Sequence, residues 1–363
     1  MRITFVLAHA DLSGGVRIVA DYAKRLAAKG HEIVVVSRPP RRASLGEKVR
    51  SALKRRPLPT ACRTGPSHLD NSGIDHRIID GHRAVTANDV PDADAVIATW
   101  WETAEWVFKY PRRKGAKIYF IQHYEAHEGL PADRVDATWR LPMHKIVIAN
   151  WLAELSKDRF GDTAYSLVPD AVDMTRFFAP PRGKQAAPTI GMMYSHVPFK
   201  GCDISLKAFD LAAQKIRGLK LIAFGSRHPT RELPLPPGSE FIHQPPQDLI
   251  KDIYSRADAW LVASRSEGFG LPILEAMACR TPVIATPAGA APELLASGGG
   301  LIVPHESPSA MAAAIEQICG LDDPDWRAMS EEAVATAASY NWERSTKLFE
   351  EALAEAIERQ GAE

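Results

Sequence analysis

Short apolar runs alternate with longer helical patterns along the whole chain. We predict strands at 3–8, 32–37, 95–99, 117–122, 145–150 and 165–168, and then at 189–193, 219–225, 240–243, 259–263, 282–286 and 301–303. We predict helices between them at 16–29, 151–160, 203–217, 248–255, 271–279 and 309–319. The predicted strands are apolar on consecutive residues, which is typical of parallel strands covered on both faces. The alternation therefore predicts an α/β protein with parallel sheets.

The segment between the two strand series indicates a domain boundary. It holds Pro169, Pro180, Pro181, Gly183 and Pro188 and shows little periodicity. We predict a doubly wound domain over 1–170, a linker over 171–188 and a second doubly wound domain over 189–340. A long amphipathic helix follows Asn341 and fills 341–363, and its pattern alone assigns it to neither domain.

Charge and cysteine content narrow the class of protein. Lys plus Arg and Asp plus Glu both total 44, so no overall field favours nucleic acid. The four cysteines lie far apart, which favours reduced thiols over zinc or redox chemistry. The chain starts in a predicted strand and has no apolar stretch near the ~18 residues of a membrane span. We predict a cytoplasmic protein that can still sit on the inner face of the cell membrane.

Basic residues cluster between positions 38 and 63. This segment holds nine Lys and Arg residues against one acid, Glu47, with Leu45, Val49, Ala52 and Leu53 at helical spacing. One interpretation is a basic amphipathic helix that meets anionic lipid or an anionic acceptor. The other is a solvated insert, and the sequence leaves both open.

A glycine-rich turn between a strand and a helix carries the most specific pattern. Gly268-Phe269-Gly270-Leu271-Pro272 is flanked by Glu267 and Glu275. Proline suits the first helical turn, and free N–H groups there can hold an anion or sugar oxygens. We place Glu267 in the loop and Glu275 in the first helical turn, where they can grip two parts of one ligand. A turn with helix-dipole carboxylates is the alternative.

These residues resemble the signature of family 4 retaining glycosyltransferases. Further motifs continue the resemblance in order along nearly the whole chain: Gly14-Gly15-Val16, Val168-Pro169-Asp170, Lys200-Gly201, 281–286, Gly289 and Pro292-Glu293. The resemblance implies the GT-B fold, with two Rossmann-like domains facing a central cleft and the last helix packing back on the first domain. The string 119–125 is also similar to a bacterial subgroup that contains polysaccharide rhamnosyltransferases.

The resemblance also implies roles in donor binding. Glu275 would hold the ribose hydroxyls, and Glu267 would contact the donor sugar. Carboxylates suit both tasks because they accept strong hydrogen bonds. Backbone N–H groups facing the sugar and diphosphate would come from Gly14, Gly15, Gly268, Phe269, Gly270 and Leu271. A helix-start turn explains Gly14 and Gly15 equally well.

Lys200 is the candidate cation for the diphosphate, because a fixed positive charge stabilises a leaving phosphate. Relatives pair this lysine with an arginine about five residues earlier, where this chain has Ser195. Arg265 is a candidate replacement. A surface lysine without a role is the alternative for Lys200.

His123 follows the predicted strand 117–122 at its carboxyl end, where ligands gather in such sheets. In the resembling family a histidine of this region lies beneath the donor sugar, and a structural histidine is the alternative. His123 and His127 could suggest a metal pair, but Gly129 and Pro131 interrupt any helix. We therefore predict no metal. Trp100, Trp101, Trp106 and Trp139 could stack on an acceptor sugar or belong to the core.

The expected activity is transfer of a sugar from a dTDP-, GDP- or UDP-linked donor to a glycan, lipid-linked or small-molecule acceptor, with retention and without a metal or other cofactor. Bacterial polysaccharide or glycoconjugate synthesis is the expected setting. A GT-B sugar-nucleotide epimerase and a non-catalytic sugar-nucleotide binder are alternatives. An NAD(P) oxidoreductase is a third, although the chain lacks a complete G-x-G-x-x-G and an acid after the second strand.

Overall fold

The computed structural model describes residues 1–41, 43–53, 65–126 and 130–362. Their contacts divide the chain into two compact units. The first unit comprises Met1–Ile148, Leu152–Val168 and Thr346–Glu363, and the second comprises Ala149–Trp151 and Pro169–Ser345.

The first unit contains a seven-stranded parallel sheet. In chain order its strands are β1 (Arg2–Leu7), β2 (Glu32–Ser37), β3 (Asp75–Ile78), β4 (Ala95–Ala98), β5 (Ala116–Ile121), β6 (His144–Val147) and β7 (Tyr165–Leu167). Their order across the sheet is β3-β2-β1-β4-β5-β6-β7, and every pairing is parallel. The helices of this part of the chain are α1 (Gly14–Ala28), α2 (Leu45–Leu53), α3 (Trp101–Phe108), α4 (Ala132–Trp139) and α5 (Asn150–Phe160).

The second unit contains a six-stranded parallel sheet. Its strands are β8 (Thr189–Met193), β9 (Lys220–Gly225), β10 (Glu240–His243), β11 (Ala259–Val262), β12 (Val283–Ala285) and β13 (Gly300–Ile302), in the order β10-β9-β8-β11-β12-β13. Its helices are α6 (Cys202–Ala213), α7 (Ile250–Ser255), α8 (Leu271–Ala278), α9 (Ala291–Leu294), α10 (Pro308–Gly320) and α11 (Asp323–Ser339). The prediction of an α/β protein with parallel sheets is confirmed.

The last helix, α12 (Trp342–Ala362), begins in the second unit and continues in the first. Phe349 of this helix is fully buried and stacks on Tyr22 of α1 with ring centroids 4.3 Å apart. It also meets Phe120 of β5 edge-on at 5.2 Å. The aromatic core of the first unit therefore includes a side chain from the end of the chain.

Residues 171–188, which the sequence analysis treats as a linker, lie with the second unit. The buried carboxylate of Asp258 accepts the backbone N–H groups of Gln185 at 2.7 Å and Thr189 at 2.8 Å. Lys184 donates to the carbonyls of Cys319 and Leu321. These bonds fasten the segment to the start of β11 and to the end of α10, both in the second unit.

Candidate donor site in the second unit

The glycine-rich turn joins β11 to α8, as predicted. Helix α8 begins at Leu271 with Pro272 in its first turn. Its N–H groups are therefore not all used within the helix, since a helix leaves its first donors without internal partners. Glu275 is the fifth residue of α8, so its predicted place in the first turn is wrong by one position.

Lys200 lies against this turn because of a close backbone approach at Gly201. Gly201 has φ of 61°, and a Cβ there would lie 1.8 Å from the carbonyl oxygen of Ala263, at the end of β11. Only glycine fits that contact. The chain segment after β8 is thereby held next to the segment after β11, at the carboxyl ends of two neighbouring strands. Ligands of open parallel sheets bind at such ends.

Lys200 and Glu267 form a bidentate ion pair. The Nζ of Lys200 lies 2.7 Å from Oε1 and 2.9 Å from Oε2 of Glu267. The hydroxyl of Ser264 donates to the same Oε1 at 2.7 Å. The lysine side chain is 24% exposed and the glutamate 10%. The side chains predicted to face the donor diphosphate and the donor sugar are thus in direct contact.

Gly289 holds the other side of the turn. A Cβ on this residue would lie 2.8 Å from the Cβ of Glu267 and 2.9 Å from the carbonyl oxygen of Phe269. The indole Nε1 of Trp151, which belongs to the second unit, donates to the carbonyl of Gly268 at 2.7 Å. These contacts hold the backbone of the turn, whose N–H groups the family resemblance assigns to the donor.

Glu275 is buried in the helix that follows the turn, with 6% of its surface exposed. The hydroxyl of Tyr254, in α7, donates to its Oε2 at 2.9 Å. A buried carboxylate costs free energy unless it is hydrogen-bonded. Tyr254 therefore supports Glu275, a contact that sequence reasoning missed because nothing in the local pattern links positions 21 residues apart.

Arg265 is tied into its own unit by several bonds. Its guanidinium bonds both carboxylate oxygens of Asp203, at 3.0 and 2.9 Å, and both of Glu306, at 2.5 and 3.0 Å. It also donates to the carbonyl of Pro198 at 2.5 Å. These carboxylates raise the pKa of Arg265. To reach a phosphate the arginine must exchange some of these bonds, and its donor-binding role stays a prediction.

Ser195 and Arg265 share a cavity of about 310 Å³. The remaining lining residues are His196, Val197, Pro198, Cys202, Asp203 and Leu233. The hydroxyl of Ser195 accepts the N–H of Val197 at 3.2 Å. Ser195, at the position where relatives have an arginine, and Arg265, its candidate replacement, therefore line the same cavity.

Gly14, Gly15 and His123 belong to the first unit. Gly14 and Gly15 are the first residues of α1. A Cβ on Gly15 would lie 3.3 Å from Oε1 of Gln122, so the start of α1 approaches the end of β5 closely. His123 is half-buried just beyond β5, at the carboxyl end of that strand as predicted.

The other predictions for the first unit have different outcomes. His127 and Gly129, on which the metal interpretation depends, lie outside the described residues. Trp101 is 5% exposed and Trp139 fully buried, so these two belong to the core rather than to an acceptor platform. Trp106 is half-buried with the guanidinium of Arg38 5.1 Å from its ring centroid.

Comparison with known families adds to this geometry. Residues 174–335, which include Lys200, Glu267 and Glu275, match the family described as Glycosyl transferases group 1. The similarity covers 162 of the 363 residues of the chain. The match ends four residues before the end of α11 and contains both sides of the Lys200–Glu267 pair.

Curated relatives align with part of the chain. A D-inositol 3-phosphate glycosyltransferase of Corynebacterium urealyticum is 43% identical over 106 residues, which are 29% of this chain and 24% of the relative. The enzyme of the same name from Corynebacterium glutamicum is 36% identical over 163 residues, 40% of this chain and 38% of the relative. The aligned segments thus span less than two fifths of these relatives. They carry this name rather than that of a rhamnosyltransferase.

Solved structures resemble the chain over nearly its whole length. Sucrose-phosphate synthase from Thermosynechococcus elongatus has a TM-score of 0.74 at 17% identity, with 99% of this chain and all of that chain covered. The Anabaena protein HepE, in complex with UDP and glucose, has a TM-score of 0.72 at 16% identity, with 98% and 100% covered. With the two parallel sheets, this likeness confirms the predicted GT-B class of fold, in which each of two domains is Rossmann-like.

Proposed function

We propose that the protein is a retaining glycosyltransferase of family 4 that moves a sugar from a nucleotide-sugar donor to an acceptor. The observation that carries the proposal is the ion pair between Lys200 and Glu267. Glu267 lies in the glycine-rich turn, eight residues before the buried Glu275, and all three residues fall within the match to Glycosyl transferases group 1. Curated relatives named as glycosyltransferases support the reaction class. HepE is similar in fold and was solved with UDP-glucose, which supports a nucleotide-sugar donor.

In this proposal Lys200 takes the charge that develops on the diphosphate. The carboxylate of Glu267 holds the ammonium at the turn in the unliganded protein, at 2.7 and 2.9 Å. When a diphosphate arrives, the ammonium shifts toward it and Glu267 turns to the hydroxyls of the donor sugar. A positioned cation contributes most when it faces charge that appears in the transition state.

Glu275 is proposed to receive the ribose hydroxyls, with Tyr254 holding the carboxylate in place at 2.9 Å. Backbone N–H groups from Gly268 to Leu271 are proposed to face the sugar and diphosphate. His123 is assigned to the donor sugar by the family resemblance alone. With retention, the leaving phosphate itself helps deprotonate the acceptor hydroxyl on the same face of the sugar.

Substitution of Lys200 tests the donor site. We expect one of UDP, dTDP and GDP to raise the melting temperature of the unchanged protein, because a ligand of the native state stabilises it by mass action. Lys200→Ala should weaken that nucleotide's binding by roughly 10- to 100-fold, since a charge-assisted hydrogen bond is worth about 1.5–3 kcal/mol. Thermal shift and calorimetry across the three nucleotides measure both effects.

Lys215 provides the matched control. It forms a Lys–Glu pair with Glu316 in the same unit, at 2.9 Å, but on the exposed surface. Lys215→Ala should leave nucleotide binding unchanged. Equal losses in the two variants would argue against a donor site at Lys200. Conversion of the donor with no acceptor present would indicate an epimerase instead, and binding without any turnover would indicate a sugar-nucleotide binder.

The proposal includes chemistry without a divalent metal, because Lys200, backbone N–H groups and the start of α8 would neutralise the leaving diphosphate. We expect product formation to continue at its full rate in excess EDTA. The measurement is the initial rate with the preferred donor, before and after chelation. A complete loss that magnesium or manganese restores would contradict this part while leaving the donor site intact.

A further inference from the structure

Helix α2 (Leu45–Leu53) turns an apolar stripe toward solvent. Leu45, Val49 and Leu53 are spaced four residues apart, so they lie on one face of the helix. Their exposures are 81%, 56% and 80%, and the two leucines are the most exposed large apolar side chains among the described residues. A row of apolar side chains left in water marks a surface that meets a partner.

The helix does not depend on burial of that stripe for its start. Ser44 and Glu47 form a capping box: the Oγ of Ser44 accepts the N–H of Glu47 at 3.2 Å, and Glu47 accepts the N–H of Ser44 at 2.9 Å. Such reciprocal bonds satisfy two of the N–H groups at a helix start. The stripe is therefore presented by a locally stabilised helix.

The segment of sequence that contains the stripe is positively charged. Glu47, the single acid of segment 38–63, is bonded to Arg41 at 2.6 Å. Arg38 is not part of the exposed charge, because it bonds Glu102 at 2.6 Å and the carbonyl of Ala8. Arg50 is exposed on α2 itself, and Lys54, Arg55 and Arg56 follow directly in the sequence.

We propose that α2 docks on an anionic lipid bilayer, with Leu45, Val49 and Leu53 in the acyl boundary and Arg50 among the headgroups. An apolar stripe beside basic residues is the composition of helices that lie in a membrane interface. A second copy of the chain fits poorly, because pairing would bring two positive segments together. The cytoplasmic leaflet supplies both anionic headgroups and an apolar layer. Among the described residues, no helix is long and apolar enough to cross a bilayer.

Vesicle sedimentation with the full chain tests the proposal independently of the transfer reaction. We expect binding to phosphatidylcholine vesicles that contain phosphatidylglycerol, and much weaker binding to phosphatidylcholine alone. The double variant Leu45→Ser, Leu53→Ser should bind the anionic vesicles at least about tenfold more weakly, because each substitution removes an apolar side chain from the acyl region. Ile78→Ser is its matched control, because Ile78 lies on β3 in the same unit and is 59% exposed.

The charge is tested in the same assay. Arg50→Glu should lower binding by roughly tenfold or more, because basic residues near an anionic surface attract it. Arg217→Glu changes the net charge equally at an exposed arginine of the second unit and should have little effect. Failure to bind anionic vesicles, or equal binding by the double variant and the Ile78 control, would overturn the proposal. The proposal would also be overturned if the protein did not bind vesicles but formed a dimer in ultracentrifugation, and if the double substitution dissociated that dimer.

Discussion

At the scale of single residues, Glu125 of the first unit is an unusual group because its carboxyl is buried. It is 3% exposed, accepts the N–H of Trp101 at 3.1 Å and lies 3.5 Å from the hydroxyl of Tyr119. Burial raises its pKa to about 8, although the hydrogen bonds from Trp101 and Tyr119 oppose the shift. Glu125 lies two residues after His123, which the family resemblance places beneath the donor sugar.

The pH dependence of folding tests this environment. Between the ordinary pKa of glutamate and 8, the folded protein keeps a proton that the unfolded chain releases, so stability falls as pH rises through this window. Glu125→Gln stays neutral, so relative to the unchanged protein it should gain a few kcal/mol between pH 5 and 8.5, since each pKa unit corresponds to about 1.4 kcal/mol. Urea unfolding at both pH values measures the difference. Parallel pH profiles for the two proteins would contradict the raised pKa.

Local sequence could predict the candidate donor site only in part. The glycine turn, Glu267 and Lys200 are visible because each lies in a short recognisable motif after a strand. The bond between Lys200 and Glu267 is not visible, since 67 residues separate them and only the neighbouring positions of β8 and β11 bring them together. Arg265 bonds to Asp203 and Glu306, which are 62 and 41 residues away in the sequence and equally invisible to a local pattern.

At the scale of elements, the structure adds strands and helices that apolar patterning does not reveal. Strand β3 has the sequence Asp-His-Arg-Ile and lies at the edge of its sheet, mostly exposed, so it lacks the apolar run expected of a buried strand. Helix α11 buries Trp326, Ser330, Ala333 and Ala337. A face made largely of small residues gives a weak hydrophobic period. Strands buried on both faces, such as β4, were predictable for the opposite reason.

Helix α12 offers a test at the same scale. Phe349 is fully buried against Phe5, Tyr22 and Phe120, so Phe349→Ala should lower the free energy of unfolding by about 3–5 kcal/mol, the usual cost of emptying an aromatic core position. Chemical denaturation followed by tryptophan fluorescence measures it.

The control for this prediction lies on the same helix. Lys347 is exposed and makes a long i,i+4 contact with Glu351 at 3.7 Å. Lys347→Ala should cost at most about 0.5 kcal/mol, as exposed pairs of this kind contribute little. Similar losses in the two variants would mean that α12 does not complete the core of the first unit.

At the scale of the whole molecule, neither unit is one continuous stretch of chain. The chain leaves the first unit after Ile148, returns at Leu152, leaves again after Val168 and returns at Thr346. One of these crossings, after Val168, lies close to residue 170, where the sequence analysis ends the first domain. Of the others, the crossing after Ile148 precedes α5, and the remaining two lie inside α5 and α12, where helical periodicity continues across the crossing.

Because the chain crosses between the two units several times, the order in which its segments are synthesised affects the order in which the units can fold. During synthesis the amino-terminal part of a chain emerges first and domains generally fold in that order. Here the first unit needs Phe349, which leaves the ribosome after every segment of the second unit. The second unit, by contrast, has all of its segments once Ser345 has emerged. The six-stranded sheet of the second unit can thus reach its native state before the seven-stranded sheet of the first. Until Phe349 has emerged, the aromatic core of the first unit is incomplete.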